Sequence, residues 1–221
     1  MLRLDMGQVY DPEPGLRLVH KDDSLLAFDK PSGLLSVPAK PPGPQDCLEA
    51  RVKAAFPESL LIHRLDMDTS GVILFARTRL AQRHLNWQFE RRQTRKTYVA
   101  RVDGHVAQDE GFIDLPLICD WPNRPLQMVC YERGKPAVTR WKVLEREPDG
   151  HTRMELKPQT GRSHQLRVHM RELGHPILGD GFYAQGAALA AADRLQLHAS
   201  DITVMNPDGG AWIKFAAPVP F

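Results

Sequence analysis

No run of about eighteen apolar residues occurs in the chain, so a membrane-spanning helix is not expected. The opening Met1-Leu2-Arg3-Leu4-Asp5-Met6-Gly7 lacks the apolar core of a signal peptide. Cysteine is scarce: Cys47, Cys119 and Cys130 are irregularly spaced and form no CxxC, which speaks against zinc and redox chemistry. Free thiols in a reducing, cytoplasmic compartment are the expectation. There is no P-loop, no dinucleotide fingerprint and no G-x-S-x-G elbow, so nucleotide cofactors and an α/β-hydrolase are disfavoured. His164 and His169 are five apart on an expected helix and would face different ways, so no metal site is expected there. Net charge is also small, +2 with a pI near 8.5. That balance permits a nucleic-acid partner without arguing for one, and the placement of charge matters more than its sum.

Hydrophobic residues make up 42% of the 221, enough for a real core. There is no internal repeat and no long linker. The expected organisation is a loose N-terminal arm over 1–15, with Pro12, Pro14 and Gly15, followed by one domain over 16–221. Leu16–His20 and Leu25–Asp29 form an expected hairpin that ends in the turn Lys30-Pro31-Ser32-Gly33. The proline-rich 38–46 reads as a surface loop. Asp46 is the expected N-cap of a helix, with Glu49 completing a capping box. Thr78 caps a second helix running to about Arg92, with Leu80, His84, Leu85, Trp87 and Phe89 around it. The middle, 112–157, alternates in short strands, which suits antiparallel pairing. A third helix follows Ser163 as N-cap and stops at Gly174, a natural C′ residue. Strands over Leu195–Ala199 and Trp212–Phe215 close the sheet. The fold class is therefore α+β: a bent, mostly antiparallel mixed sheet with flanking helices and loops.

The chemistry concentrates in His63-Arg64-Leu65-Asp66-Met67-Asp68-Thr69-Ser70-Gly71, followed at once by the apolar run Val72–Ala76. Turn residues before a buried strand place Asp66 on a loop whose aim rigid structure can fix. Two structural readings compete: Asp66 or Asp68 caps its own turn, or Arg64 and Asp66 form an ordinary surface ion pair. Arg162, Arg167 and Arg171 on the third helix read either as a solvated face or as partners for a carboxylate, since a nearby guanidinium favours the ionised form. Tyr98 follows the most basic stretch of the chain, Arg91-Arg92-Gln93-Thr94-Arg95-Lys96. With Arg83 and Arg101, and with Trp87 and Tyr98 interleaved, this could neutralise phosphates, or be only a solvated helix end.

His-Arg-Leu-Asp-x-x-Thr-Ser-Gly resembles the signature of the RluA family of RNA pseudouridine synthases. Lys30–Gly33, Lys96–Ala100, Thr160–Arg167 and Leu173–Asp180 resemble further family stretches in the right order, so the likeness spans nearly the whole chain. It implies Asp66 as the catalytic carboxylate, Tyr98 as the aromatic that stacks on the target base, and Arg167 as the cation paired with Asp66. Arg64 would contact the RNA. Arg91, Arg92, Arg95, Lys96, Arg162 and His164 complete the expected RNA-binding set. The S4-type RNA-binding domain that many members carry is not expected here. Lys30–Pro38 and Asp114–Pro125 look like the short, dual-specificity members. Those act on a uridine in a hairpin of 23S rRNA and on one in the anticodon stem-loop of some tRNAs. The resemblance implies no metal and no cofactor, and a self-contained single domain makes a monomer the default expectation. Alternatives are a family member with another RNA target, a non-catalytic RNA-binding protein, and a small hydrolase built on Ser70 or Ser163.

Overall fold

The computed structural model describes residues 12–221. Most of the expected arm, residues 1–11, lies outside the described residues. The chain packs as two units. One runs through Lys96 and resumes over Ala199–Pro220, and the other spans Thr97–His198 with Phe221.

The first unit is built on β1 (Leu18–Lys21), β2 (Leu25–Lys30), α1 (Leu48–Ala55), β3 (Leu60–Leu61), β4 (Ser70–Ala76) and α2 (Arg79–Glu90). Strands β2 and β4 are hydrophobic on both faces and almost fully buried, the mark of central strands. They pair antiparallel, Leu25 against Ala76 through Lys30 against Gly71. Gly71 has φ +118°, and a Cβ there would run into the Ala199 backbone. The glycine is thus required by close approach of two strands as well as by its backbone angle. The core of this unit joins Leu25, Ala27, Leu74 and Ala76 to Ala81 and Leu85 of α2.

The second unit carries most of β5 (Arg95–Val102), then β6 (Glu110–Asp114), β7 (Leu117–Cys119), β8 (Gln127–Val129), β9 (Val138–Arg146), β10 (Thr152–Pro158), α3 (Gln165–Glu172) and α4 (Gly186–Ala190). Strand β11 (Leu197–Met205) starts here and passes into the first unit, where β12 (Trp212–Ala216) pairs with it antiparallel. The order within the second unit is β5-β10-β9-β6, antiparallel at each step, with β7–β8 a separate hairpin. Met154, Leu156, Leu166, Met170 and Ile177 fill its core. An antiparallel sheet with flanking helices matches the α+β expectation.

Several local expectations are corrected. The N-cap of α1 is Cys47, whose Sγ accepts from Ala50 N, while Asp46 instead pairs with Arg51. No capping box forms, because the helix starts one residue later than the pattern implied. Ser163 does not cap α3. His164 holds that position in the left-handed region, φ 52°, and Gln165 Oε1 accepts from Arg162 N in the cap's place. Strand β11 does not stop at Ala199 but continues to Met205. Of the residues around α2, Leu85 is buried with Ala81 and Gln88, while Leu80 and Trp87 are exposed. Thr78 does cap α2, accepting from Ala81 N at 3.1 Å.

Candidate active site

Asp66 sits on the loop between β3 and β4, half-buried, in the first unit. Its neighbours are strapped to the turn that follows β2. Lys30 is fully buried, and its Nζ donates to the carbonyls of Pro31, Leu34 and Met67 at 2.7–2.8 Å. Three donors therefore meet three acceptors. Ser32 Oγ donates to Asp68 O, and Gly33 N to Met67 O. Ser36 Oγ donates to Leu65 O and accepts from Leu65 N. Leu65, Met67 and Asp68, which flank Asp66, are thus each fixed through main-chain atoms. A loop held so leaves the Asp66 side chain little backbone freedom.

Lys30→Met would keep the volume and remove the donors. Each carbonyl left dry costs about 1–3 kcal/mol. We expect a loss of about 3 kcal/mol or more in urea unfolding, and a fall in activity beyond what the folded fraction explains.

His63 is the other fixed point of this loop. Its Nε2 accepts from Leu74 N at 3.1 Å, and its ring stacks on Phe89 at 5.0 Å. Burial, with Lys96 nearby, drives its pKa down to about 3. An unfolded histidine binds its proton near pH 6.5, so between there and pH 3 the unfolded chain holds a proton that the native state lacks. Stability should therefore fall as pH drops below about 6.5. Melting curves from pH 7 to pH 4.5 should show this decline, and His63→Asn should flatten it.

Arg64 is exposed, and among the described residues no carboxylate lies within ion-pairing distance of it. The surface Arg64–Asp66 pair is thus excluded. Arg91, Arg92 and Arg95 are also exposed, around the end of α2 and the start of β5. Lys96 is different: it turns inward toward His63, and burial lowers its pKa. Arg101 does not belong to the basic cluster, because it is bound to Glu147 and Asp149.

The second unit holds Tyr98, Arg162, His164 and Arg167. Tyr98 is half-buried on β5, opposite Leu156, and packs on the core. Arg167 is not on a solvated face: its side chain is 2% exposed. Its Nε and Nη2 donate to Asp180 Oδ2 and Oδ1 at 2.8 and 2.6 Å, and Asp180 is 0% exposed. Asp180 Oδ1 also accepts from Phe182 N and Tyr183 N. The guanidinium lies 4.9 Å from the Phe182 ring centre and 5.4 Å from that of Tyr183. A bidentate pair with rings against the guanidinium fixes both its plane and its position. Gly179, just before Asp180, has φ +67°, and a Cβ there would strike Arg194 O. Tyr183 Oη accepts from Gln127 N and is 2.7 Å from His164 Nδ1. Arg162, half-buried, donates from Nε to Pro136 O. Gln165 pins the turn before α3: it accepts from Thr160 Oγ1 and donates to Val138 O and Thr139 Oγ1. His169 turns to Thr139 Oγ1, apart from His164.

Asp180, Phe182 and Tyr183 were assigned no role from sequence. The signal that could have flagged Asp180 is Gly179-Asp180-Gly181: an acid between two glycines, downstream of a helix rich in arginine. Such an acid needs a buried partner if the loop packs inward.

Comparison with known proteins decides the family. The family model described as RNA pseudouridylate synthase matches residues 24–172. The chain belongs to that family. It is 55% identical over 204 residues to the dual-specificity RNA pseudouridine synthase RluA of Yersinia pestis, covering 92% of this chain and 99% of that protein. It is 53% identical over 214 residues to the RluA of Escherichia coli (strain K12), covering 96% and 98%. Among solved structures, human RNA Pseudouridylate Synthase Domain Containing 1 superposes with a TM-score of 0.78 at 27% identity, over 95% of this chain and 87% of that one. As an RNA pseudouridine synthase the chain is an enzyme, an isomerase that turns uridine in RNA into pseudouridine.

Proposed function

We propose that this synthase is dual in target. It would act on a uridine in a 23S rRNA hairpin and on one in the anticodon stem-loop of some tRNAs, with Asp66 as the residue that breaks the glycosidic bond. The observation that carries the reading is the strapped Asp66 loop, whose bonds at Leu65, Met67 and Asp68 come from the Lys30–Ser36 segment. Relatives that match 92% and 96% of the chain are named as dual-specificity enzymes. A uridine stacked in a loop is out of reach, so the mechanism starts by flipping it out, at a cost of about a few kcal/mol. Arg64, exposed beside the loop, would fill the vacated space. Tyr98 would stack on the uracil, a contact worth about 1–3 kcal/mol. Asp66 would act at the anomeric carbon or promote glycal formation. The freed base would then rotate and rejoin the sugar through ring carbon 5, so it must stay confined. The role carried over for Arg167 is to orient the carboxylate and hold its charge. Arg91, Arg92, Arg95, Lys96, Arg162 and His164 would serve RNA binding. The protein would work as a monomer, in the cytoplasm, as one catalytic domain over 16–221.

The test is tritium release from transcripts labelled at ring carbon 5 of uridine. Release from both an anticodon stem-loop and the ribosomal hairpin is expected. Release from only one would refute the dual assignment. RNA binding without release from either would favour the non-catalytic reading.

A further inference from the structure

The exposed side of α2 has a construction that its buried side does not explain. Leu80, Arg83, Trp87 and Arg91 follow one another at helical spacing and all face solvent. The Arg91 guanidinium lies over the Trp87 ring at 5.1 Å. Gln88, buried, accepts from Met205 N and donates to Met205 O, so the helix is clamped to the end of β11. Met205 pairs with Trp212, the first residue of β12. Trp212 is 47% exposed and carries the Arg95 guanidinium over its ring at 5.1 Å. Two arginine–tryptophan stacks are therefore set near each other through one glutamine clamp.

Two facts separate this patch from ordinary surface charge. The first is the lack of acid. Arg17, Arg51, Arg77, Arg146 and Arg153 each pair with a carboxylate. Among the described residues, Arg83, Arg91, Arg92 and Arg95 have no such partner, although Glu90 lies on the same helix. The second is Arg92. It follows α2 with φ +55°, and the turn closes through Arg92 N to Phe89 O and Gln93 N to Gln88 O. That is the Schellman arrangement, and its left-handed position is where glycine is cheapest. Arginine stands at a strained position that glycine, having no Cβ, would fill more easily.

We propose that Arg83, Arg91, Arg92 and Arg95, with Trp87 and Trp212 beneath two of them, form a docking surface for the phosphate backbone of the substrate RNA. The inference deepens the RNA-binding assignment above and rests on it. The indoles hold two of the guanidinium groups over their faces. Their charge is presented at fixed points, with no local carboxylate to cancel it. Such a surface adds affinity and orientation without reading sequence, which suits an enzyme that takes more than one stem-loop.

The experiment measures binding of the full chain to an anticodon stem-loop across a potassium chloride series. Each phosphate contact removed should reduce the log–log salt slope by about 0.7–0.9. Arg91→Gln with Arg95→Gln should therefore lose about 1.4–1.8 of slope. Arg92→Gly is the sharper variant. Relief of backbone strain should raise its melting temperature, while its RNA affinity and salt slope fall. Trp87→Leu with Trp212→Leu should weaken binding and keep the slope, because the charges remain. A wild-type slope and affinity in both arginine variants would overturn the proposal and point to an acidic protein surface as the partner. Wild-type protein that binds the stem-loop but releases no tritium from it refutes the target assignment alone, because the slope still decides the docking surface.

Discussion

Asp66→Asn should abolish tritium release from every RNA the wild type modifies, with a fall of about a thousand-fold or more. The stability and the RNA affinity should stay close to wild type. Asparagine matches aspartate in shape, and the strapping of this loop runs through main-chain atoms of Leu65, Met67 and Asp68, so it survives the change. What is lost is the charge and the nucleophilic oxygen. Single-turnover release with enzyme in excess separates this from weaker binding, because it reads the chemical step alone. Near wild-type release would remove Asp66 from the mechanism. A melting temperature lowered by several degrees would show that the side chain belongs to the scaffold. Asp66→Ala is the second arm, and the two should fail alike if the carboxylate itself is what the reaction uses.

The sequence made the strands and the strapped loop legible for different reasons. Val72–Ala76 and Leu25–Phe28 are apolar runs that only a central strand can bury, so their pairing follows from composition. The Asp66 loop was legible because glycine, threonine and serine stand at fixed spacing beside that run. The partner segment was visible only as a turn, however. That Lys30 would be buried with three carbonyls on its amine depends on Leu34 and Met67 folding back over it. No local pattern encodes such a long-range fit. The helix starts failed for a related reason. Asp46 and Ser163 are good caps by propensity, but Asp46 has Arg51 in reach, and the turn before α3 is held by Gln165. Tertiary partners outbid a preference worth about 1 kcal/mol. Arg167 is the clearest case. Period and charge placed it on a solvated face as readily as in a site, and only the inward fold of Gly179-Asp180-Gly181 distinguishes them.

Asp180 carries the second large expected effect. Asp180→Ala would leave the Arg167 guanidinium buried, without its bidentate acceptor, between hydrophobic and aromatic neighbours. Breaking a buried ion pair from one side costs about 3–5 kcal/mol, so this variant should unfold at markedly lower urea. Asp180→Asn should be milder in stability, since the amide keeps one acceptor for Arg167, yet its NH2 group opposes a donor where the carboxylate accepted. Lost activity in either variant could reflect loss of the fold alone, so the decisive comparison replaces the pair together. Arg167→Met with Asp180→Leu fills the space with apolar volume, and such exchanges are often neutral or stabilising. The double variant should therefore regain most of the stability that Asp180→Ala loses, a strongly non-additive pair. Its tritium release should nevertheless stay at the background level. Recovery of stability without recovery of activity shows that the pair serves the reaction beyond its part in packing. Recovery of both would mean that the pair serves packing only, with the cation of the reaction supplied by another residue.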